Sequence, residues 1–223
     1  MRFGRAAGIA PVRIAQARQV HGIQVVDAKT TSAHSDPSDP APWSESLPEA
    51  DAIVAEPGTA AGVRVADCVP ILVGDPGSGI AAAIHAGWRG TVAGVVQSAV
   101  DRMASLGADP ARAVAAIGPC ICVGCFEVGD EVAERIVETC GDPSVIVRRQ
   151  KPHADLRAAV RLLLARAGIG LVEDVPGCTR CEKERFFSYR RGQEAGRQLA
   201  AILAPAPRVP RAPGVPDVSG ARS

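Results

Sequence analysis

The chain contains 223 residues, of which 47% are apolar and 22% are charged. This length and composition are typical of a globular protein with one domain, and they exclude a largely disordered or collagen-like chain. The formal net charge is only +1, whereas dedicated DNA or RNA binders are strongly basic, so no nucleic acid polymer is expected as a partner. No apolar stretch reaches the roughly 18 residues of a membrane span, which predicts a cytoplasmic protein.

The first half of the chain contains short apolar runs separated by Gly, Pro and Asp. The segment GIQVVDA at 22–28 is predicted to be a strand, and the Ser- and Pro-rich segment Ser32–Pro48 is predicted to be a loop. Apolar residues at helical spacing predict a helix over Thr91–Leu106, which Gly107 ends. Four strands are predicted in succession between this loop and this helix: Asp51–Ala55, Gly62–Ala66, Pro70–Gly74 and Ile80–His85.

In the second half, strands and helices follow one another without strict alternation, which predicts a mixed α/β fold. The predicted strands are Ala113–Ile117, Ser144–Arg148, Gly170–Val175 and Phe186–Tyr189, and the predicted helices are Gly129–Thr139, Asp155–Ala167 and Glu194–Leu203. The final segment, 204–223, has five prolines and no apolar period. It is therefore predicted to be disordered, and residues 1–203 are expected to form a single domain.

Three side chains that commonly bind metal ions stand beside predicted strands. His85 ends an apolar strand before the Gly-rich turn in AAAIHAGWRG, Cys68 stands at a strand end in RVADCVP, and His21 stands beside a Gly in RQVHG. Two imidazoles and one thiolate are sound ligands for zinc, and they leave the fourth tetrahedral position for water or substrate. The alternative is a satisfied core histidine together with a buried free cysteine, which behaves as a small hydrophobe.

The same residues also suit a reaction without a metal. Cys68 with His85 or His21 would provide the nucleophile and base of a Cys-His hydrolase. Other catalytic classes lack their signatures, because the chain contains no GxSxG nucleophile elbow and no GxxxxGK[ST] loop for a nucleoside triphosphate. The four histidines are also too few for both the blue-copper site and the trinuclear cluster of a multicopper oxidase.

The remaining cysteines are concentrated in two Cys-x-x-Cys pairs. Seven cysteines is an odd number in a chain too large to need disulfides, which favours reduced thiols or metal ligands. The pair Cys122/Cys125, preceded by Cys120, and the pair Cys178/Cys181 would together suit a closed structural zinc site. The 52 residues between the pairs exceed the roughly 15–20 of compact four-cysteine zinc modules. The sequence therefore favours semi-buried thiols and leaves structural zinc as an alternative.

Several pieces of the chain, taken in order, carry a family resemblance. They include RQVHGIQVV, VADCVPILVGD, IAAAIHAGWRGTVAG, AAIGPCICVGCFEVGDEV, GCTRC and FFSYRRGQEAGR. Over roughly Gln16–Leu203, the chain resembles the laccase-domain family, also called the polyphenol oxidase or peptidoglycan editing factor family. The resemblance implies a layered α+β sandwich in which mixed β-sheets are flanked by helices. Through the matching motifs it also implies that the metal ligands are His21, Cys68 and His85.

The resemblance implies a zinc enzyme acting on purine nucleosides rather than an oxidase. The implied reactions are the phosphorolysis of adenosine, inosine or methylthioadenosine and the deamination of adenosine to inosine, with inorganic phosphate as the second small-molecule partner. The same three ligands would also accept Cu²⁺. Two other interpretations stay open, namely a Cys-His amidase that edits peptidoglycan precursors and a metal-binding protein without activity.

Four further residues are candidates for roles around this centre. Asp67, beside the cysteine ligand, is a candidate proton carrier or, alternatively, an acceptor for backbone N–H groups. Arg89 and Arg190 are candidate phosphate ligands because a guanidinium matches phosphate oxygens in a bidentate way. Each arginine is equally suited to a surface ion pair or to packing on an aromatic ring. Gln19, a third candidate near the substrate, is predicted either to orient His21 or to cap a turn.

The sequence departs from the family pattern in two places. It lacks the segment with a Thr-Arg-x-Gly-Gly turn with which family members usually begin, so an edge strand and part of the pocket wall are expected to be missing. Phe126 stands where members commonly have Tyr, so any role of that hydroxyl is lost here.

Overall fold

The protein is built around a mixed β-sheet. A computed structural model describes residues 14–31, 47–192 and 196–205. Most of the predicted loop Ser32–Pro48, and the predicted disordered tail beyond residue 205, lie outside these described residues. Within them the strands are β1 Ile14–Ala15, β2 Val25–Asp27, β3 Ala52–Ala55, β4 Ala60–Val65, β5 Val69–Gly74, β6 Ala81–Ala86, β7 Val114–Ile117, β8 Ile146–Arg148, β9 Pro152–Ala154, β10 Leu171–Asp174 and β11 Gln198–Leu203. The α-helices are α1 Trp88–Ala93, α2 Val95–Ser105, α3 Asp130–Cys140, α4 Leu156–Arg166 and α5 Tyr189–Gly192.

These strands form three sheets within the described part of the chain. The largest has the strand order β10-β7-β5-β6-β3-β2, with parallel pairing only at its two outer pairs, β10–β7 and β2–β3. The second sheet has the order β1-β4-β11, and the third pairs β8 with β9. The central strand β6, with the sequence AAAIHA, is buried along its whole length, as expected for a strand covered on both faces.

Alternate residues of the central strands face two different cores, as the period of a β-strand requires. Ala52 and Val54 of β3 belong to the larger core, which contains residues of helices α2, α3 and α4. Ile53 and Ala55 of the same strand belong to the smaller core, shared with the sheet of β1, β4 and β11. The molecule therefore has three layers, namely helices, the large sheet and the small sheet. The predicted layered sandwich of mixed sheets and helices is confirmed.

A buried carboxylate closes the turn between β5 and β6. Asp75 is 1% exposed and accepts hydrogen bonds from the N–H of Gly77 at 2.8 Å, from the hydroxyl of Ser78 at 2.9 Å and from the N–H of Asp109 at 2.9 Å. The guanidinium of Arg112 contacts it at 3.0 Å. Burial by itself would raise the pKa of Asp75, but these donors outweigh it and hold the pKa far below its usual value.

Most predicted elements between residues 22 and 175 are confirmed, with ends shifted by a few residues. The strand predicted over Ser144–Arg148 begins later, because Pro143–Val145 forms a 3₁₀ turn in which the N–H of Ser144 donates to the side chain of Asp142. The helix predicted over Thr91–Leu106 is two helices, α1 and α2. Gly94 separates them with a φ of 101°, a left-handed conformation that ends helices and favours glycine.

Two predictions near the C-terminal end are wrong. The segment predicted as the helix Glu194–Leu203 contains strand β11, which pairs antiparallel with β4 from Gln198 opposite Val65 to Leu203 opposite Ala60. This segment can satisfy its backbone groups at the edge of β4, and such tertiary pairing outweighs local helix propensity. Within the described residues, the predicted strand Phe186–Tyr189 joins no ladder, and Tyr189 instead begins the short helix α5.

Candidate metal centre

The three predicted metal ligands come together at one end of the central strands. His85 is the penultimate residue of β6, and Cys68 directly precedes β5. Val69 pairs with Ala86 in the antiparallel register, which brings Cys68 to the point where β6 leaves the sheet. His21 lies in a turn before β2, with a positive φ of 62°.

Asp51 holds the ring of His85 and the backbone turn that carries His21. It directly precedes β3, is 0% exposed, and accepts a hydrogen bond from Nδ1 of His85 at 2.7 Å. Its carboxylate oxygens also accept bonds from the backbone N–H groups of Val20, His21 and Gly22 at 3.2, 2.9 and 2.7 Å. Asp51 thus fixes the turn that carries His21. Because it occupies Nδ1 of His85, it leaves Nε2 of that ring to bind a metal.

The ligand atoms of His21, Cys68 and His85 all lie within 4.8 Å of one another. Nε2 of His21 is 3.8 Å from Sγ of Cys68, and the two imidazole rings meet edge to face with their centroids 4.8 Å apart. Gly87 packs directly against this cluster. A Cβ atom at Gly87 would lie 2.7 Å from Cδ2 of His21 and 3.1 Å from Sγ of Cys68. A residue without a side chain at this position therefore allows the ligands to approach a common point.

Interactions inside the cluster shift the pKa values of Cys68 and His85 in opposite directions. Burial by itself would raise the pKa of Cys68, but hydrogen bonds to His21 and His85 outweigh it and lower this pKa to about 6. For His85 the signs are reversed. Burial by itself would lower its pKa, but its hydrogen bonds to Asp51 and Cys68 outweigh burial and raise this pKa to about 9. At neutral pH the cysteine is therefore a thiolate, the form that binds metals and acts as a nucleophile.

The residues of the cluster fit a zinc ion that keeps one open position. Two imidazoles and one thiolate are preferred zinc ligands, and a fourth tetrahedral position stays free for water or substrate. Zinc–ligand distances of about 2.0–2.3 Å place neighbouring ligand atoms roughly 3.3–3.8 Å apart in a tetrahedron. The His21–Cys68 distance of 3.8 Å agrees with this geometry. His21 is exposed while His85 is buried, so the centre is open to solvent on the His21 side.

Two residues in the wall of a cavity of about 420 Å³ are linked to neighbours of the ligand cluster. Its walls include Trp88, Phe126 and Arg190. Trp88 directly follows Gly87 in the chain, so the cavity begins one residue from the glycine that touches the ligands. The second link is the hydrogen bond from the backbone N–H of Arg190 to Oδ2 of Asp67 at 2.7 Å, and Asp67 directly precedes Cys68 in the chain. The ligand residues themselves are not part of the cavity wall, which is linked to them through Trp88 and Arg190.

Asp67 is engaged through both of its carboxylate oxygens. Oδ1 accepts a bond from the hydroxyl of Thr179 at 2.7 Å, and Oδ2 accepts the bond from the N–H of Arg190. The Asp67 backbone has a φ of 85°, a conformation that is uncommon outside glycine. The bond from Arg190 corresponds to the alternative stated for Asp67, an acceptor for backbone N–H groups, while its role as a proton carrier stays a prediction.

The three predicted substrate-binding residues occupy different surroundings. The guanidinium of Arg190 lines the cavity, donates to the carbonyl of Glu127 at 3.0 Å and lies over the ring of Phe126. The exposed guanidinium of Arg89 lies 4.6 Å from the ring centroid of Trp88. The Gln19 amide exchanges two hydrogen bonds of 2.8 Å with the backbone of Arg64 on β4. Gln19 thus extends the edge of the small sheet, and a role of these residues toward substrate stays a prediction.

Comparison with known proteins places this centre in a family. A family model described as multi-copper polyphenol oxidoreductase laccase matches residues 1–205. The chain belongs to this family. A purine nucleoside phosphorylase of Streptomyces coelicolor is 42% identical over 199 residues, which cover 86% of this chain and 76% of that protein. An adenosine deaminase from an unknown prokaryotic organism is 41% identical over 195 residues, which cover 83% of this chain and 72% of that protein.

A solved structure of the same family has the same architecture. YlmD from Geobacillus stearothermophilus matches with a TM-score of 0.80 and 28% sequence identity, over 92% of this chain and 78% of that chain. The family and fold inferred from the sequence motifs are therefore confirmed. Among the described residues of this laccase-family chain, no helix has the length and apolar character needed to cross a membrane.

Sequence reasoning missed one important residue of this laccase-family centre, Asp51. The signal was present, because Asp51 stands in ADAIVA directly before an apolar strand, and an acidic residue there is a candidate for a buried acceptor. What the sequence does not contain is the register that places Asp51 beside His85. The backbone N–H of His85 donates to the carbonyl of Asp51 at 2.7 Å, which aligns the two side chains on one face of the sheet.

Proposed function

We propose that the chain is a zinc-dependent enzyme that acts on purine nucleosides, with residues 1–203 as its single catalytic domain. Its reactions are the phosphorolysis of adenosine, inosine or methylthioadenosine and the deamination of adenosine to inosine. The observation that carries the proposal is the open cluster of His21, Cys68 and His85, whose ligand atoms all lie within 4.8 Å of one another. The names of the Streptomyces coelicolor phosphorylase and the prokaryotic deaminase support the same substrate class.

His21, Cys68 and His85 would hold the zinc ion, which supplies Lewis acidity and makes water a nucleophile near neutral pH. The chain's own contribution is to orient these ligands. Asp51 fixes the ring of His85 through the 2.7 Å bond to Nδ1. The lowered pKa of Cys68, about 6, keeps the sulfur ionised across the neutral range, which metal ligation requires.

In deamination, water adds to C6 of adenosine and ammonia leaves, so the site must also deliver a proton to the leaving nitrogen. Asp67 is the proposed carrier, because its backbone directly precedes the Cys68 ligand. For this role one of its two present bonds, to the hydroxyl of Thr179 or to the N–H of Arg190, must give way when substrate binds. Gln19 supports the centre from the neighbouring edge of β4, through its two bonds to Arg64.

In phosphorolysis, a phosphate oxygen forms a bond to C1′ of the ribose while the bond from C1′ to the purine nitrogen breaks. The products are ribose 1-phosphate and the free base, which accepts a proton. Arg190 is proposed as a phosphate ligand because its guanidinium already lines the cavity and can bind phosphate in a bidentate way. Arg89 lies one residue beyond Trp88, another wall residue, and is the proposed second cation.

Product analysis tests the proposal most directly. The purified full chain is incubated with adenosine, with and without phosphate, and the products are separated by liquid chromatography. Inosine indicates deamination, and free adenine formed only with phosphate indicates phosphorolysis. His21→Ala and Cys68→Ala are expected to lose zinc and turnover together. Cys140→Ala, which removes a buried thiol elsewhere, in helix α3, is the matched control and should keep both. If the zinc-loaded protein forms neither inosine nor adenine, the proposal is refuted.

A second candidate function, a Cys-His amidase acting on peptidoglycan precursors, is favoured by one specific observation. Cys68, His85 and Asp51 form a thiolate, an imidazolium and a carboxylate in series, which is the ion-pair arrangement of a Cys-His nucleophilic site. The two candidates differ in their metal dependence. Amide hydrolysis that persists after chelation and is lost in Cys68→Ala would establish the amidase and exclude zinc as its cofactor.

A further inference from the structure

Four cysteines outside the metal centre meet in a second cluster. Sγ atoms of Cys122, Cys125, Cys178 and Cys181 all lie within 4.8 Å of one another. All four are free thiols, and the closest pair with a described contact, Cys125 and Cys181, is separated by 3.4 Å. The two Cys-x-x-Cys segments are far apart in the chain, so the fold itself brings them together.

The spacing of the sulfurs matches a tetrahedral zinc ion. A zinc–sulfur distance of about 2.3 Å gives sulfur–sulfur separations of roughly 3.8 Å in a tetrahedron. The separations in this cluster, 3.4 Å for Cys125–Cys181 and at most 4.8 Å for every pair, bracket that value. Four thiols arranged around one point without a cation would bring no comparable gain, since their sulfurs are weak donors and acceptors.

The backbone around the cluster is arranged as in a preformed ligand cage. The N–H of Cys122 donates to Sγ of Cys178 at 3.3 Å, a bond that favours the thiolate form. The N–H of Cys125 closes a turn onto the carbonyl of Cys122 at 2.9 Å. On the other segment, the N–H of Cys178 donates to the carboxylate of Glu182 at 2.7 Å. Each Cys-x-x-Cys segment is therefore held in a turn that points two sulfurs inward.

Two arginine side chains donate hydrogen bonds to backbone carbonyls of the two cysteine segments. The Arg180 side chain, between Cys178 and Cys181, donates to the carbonyl of Cys125 at 3.2 Å. Arg191 donates to the carbonyl of Thr179 at 3.0 Å. A zinc ion with four thiolates carries a net charge of −2, and cationic groups held on the same segments favour such a charge.

We propose that Cys122, Cys125, Cys178 and Cys181 form a closed structural zinc site, distinct from the open centre of His21, Cys68 and His85. Four protein thiolates fill the tetrahedral shell and leave no position for substrate. The ion joins the segment before Phe126, a wall residue of the cavity, to the segment containing Thr179, which binds Asp67. The second zinc thus stabilises the wall of the active site without taking part in the chemistry.

The test uses the full chain and separates the two sites by variants. His21→Ala removes an exposed ligand of the open centre only, and Cys181→Ala removes an exposed ligand of the four-cysteine cluster only. Cys140→Ala, a buried thiol outside both clusters, is the matched control. Zinc content is measured on each purified protein, and the zinc shell is measured by X-ray absorption.

His21→Ala is expected to keep about one zinc per chain with an all-sulfur shell at about 2.3 Å. Cys181→Ala is expected to lose that ion, and Cys140→Ala to keep it. The X-ray absorption spectrum of His21→Ala decides whether the four-cysteine site binds zinc. This result is valid even if Cys181→Ala fails to fold. His21→Ala without zinc, or with nitrogen in the zinc shell, would overturn the proposal. A disulfide between any two of the four cysteines in the purified protein, found by mass spectrometry after alkylation, would also overturn it.

A second measurement examines the structural role. Lys183, an exposed residue two positions after Cys181, is a trypsin site whose cleavage is expected to be slow with zinc bound. Cleavage there should accelerate at least tenfold in Cys181→Ala or after chelation, and stay slow in Cys140→Ala. Equal cleavage rates in zinc-loaded and zinc-free protein would refute the stabilising role. Because neither readout involves nucleoside turnover, failure of the proposed enzymatic function leaves this test unaffected.

Discussion

The buried carboxylate of Asp51 offers the sharpest test of how the metal centre is built. Four donors converge on it: Nδ1 of His85 and the backbone N–H groups of Val20, His21 and Gly22. Asp51→Asn keeps the shape of the side chain but leaves one oxygen for these donors. The new amide N–H₂ group then faces two of them, and both become unsatisfied in a buried site.

The expected loss of stability follows from this count of bonds. An unsatisfied buried donor costs about 1–3 kcal/mol, so two of them lower the free energy of unfolding by about 2–6 kcal/mol, with a midpoint near 4. At roughly 3 °C per kcal/mol for a chain of this size, the midpoint corresponds to a Tm lowered by about 12 °C. The ring of His85 also loses its fixed orientation, and loss of such a supporting bond lowers metal affinity about 10–100-fold.

Urea unfolding and a zinc competition titration of Asp51→Asn measure the two effects. Asp101→Asn, on the exposed face of helix α2, is the matched control and should change the free energy of unfolding by less than about 0.5 kcal/mol. If Asp51→Asn unfolds within about 1 kcal/mol of the wild type and binds zinc equally well, Asp51 does not organise the centre, and the reasoning given for its four bonds is wrong.

Three further predictions concern other parts of the structure. The folded pKa of Asp75 lies below its usual value of 3.8, so its contribution to stability is complete above that value and is lost as pH falls toward the folded pKa. In urea unfolding, the difference between wild type and Asp75→Asn should accordingly be constant from about pH 5 to 7 and shrink below about pH 4. Gly87→Ala would place a Cβ 2.7 Å from a ligand ring and should lower zinc affinity at least about tenfold. Gly129→Ala, at an equivalent helix-capping position with nothing within 4 Å, should leave zinc affinity unchanged. Equal zinc affinities in the two variants would contradict the close packing of Gly87 against the ligands. Arg190→Gln should raise the KM for phosphate about tenfold or more, with little effect on the kcat of deamination, in steady-state assays. Arg185→Gln, another arginine over a phenyl ring, serves as its control, and an unchanged KM in Arg190→Gln would remove this residue from the phosphate site.

The sequence predicts the central strands well because their signals are local. The run AAAIHA is apolar, short and followed by glycine, and it forms β6 over Ala81–Ala86 as expected. The strand-end positions of His85 and Cys68 could be inferred in the same way. What the sequence could not provide is the partner of each strand. The register of β3 against β6 places Asp51 beside His85. This register can be predicted only when it is known which strands pair.

The wrong prediction for Gln198–Leu203 has the same origin. Its residues Gln-Leu-Ala-Ala-Ile-Leu suit a helix by propensity, and its strand conformation comes from the edge that β4 provides. The four-cysteine cluster also depends on distant pairing. The long interval between the two Cys-x-x-Cys pairs argues against a zinc module, yet an isolated bridge between Cys120 and Cys178 joins their segments and makes that interval irrelevant.

The small sheet has a consequence for the order in which the protein folds. Its middle strand, β4, pairs on one side with β1 near the start of the described chain and on the other side with β11 near its end. The hairpin of β5 and β6 needs only a short turn, whereas β4 must wait for segments separated from it by long loops, whose closure costs entropy and slows assembly. Gln19, two residues before His21, bonds to β4 as well. The imidazole of His21 is therefore expected to reach its final position late, after Cys68 and His85 have already been brought together by their hairpin.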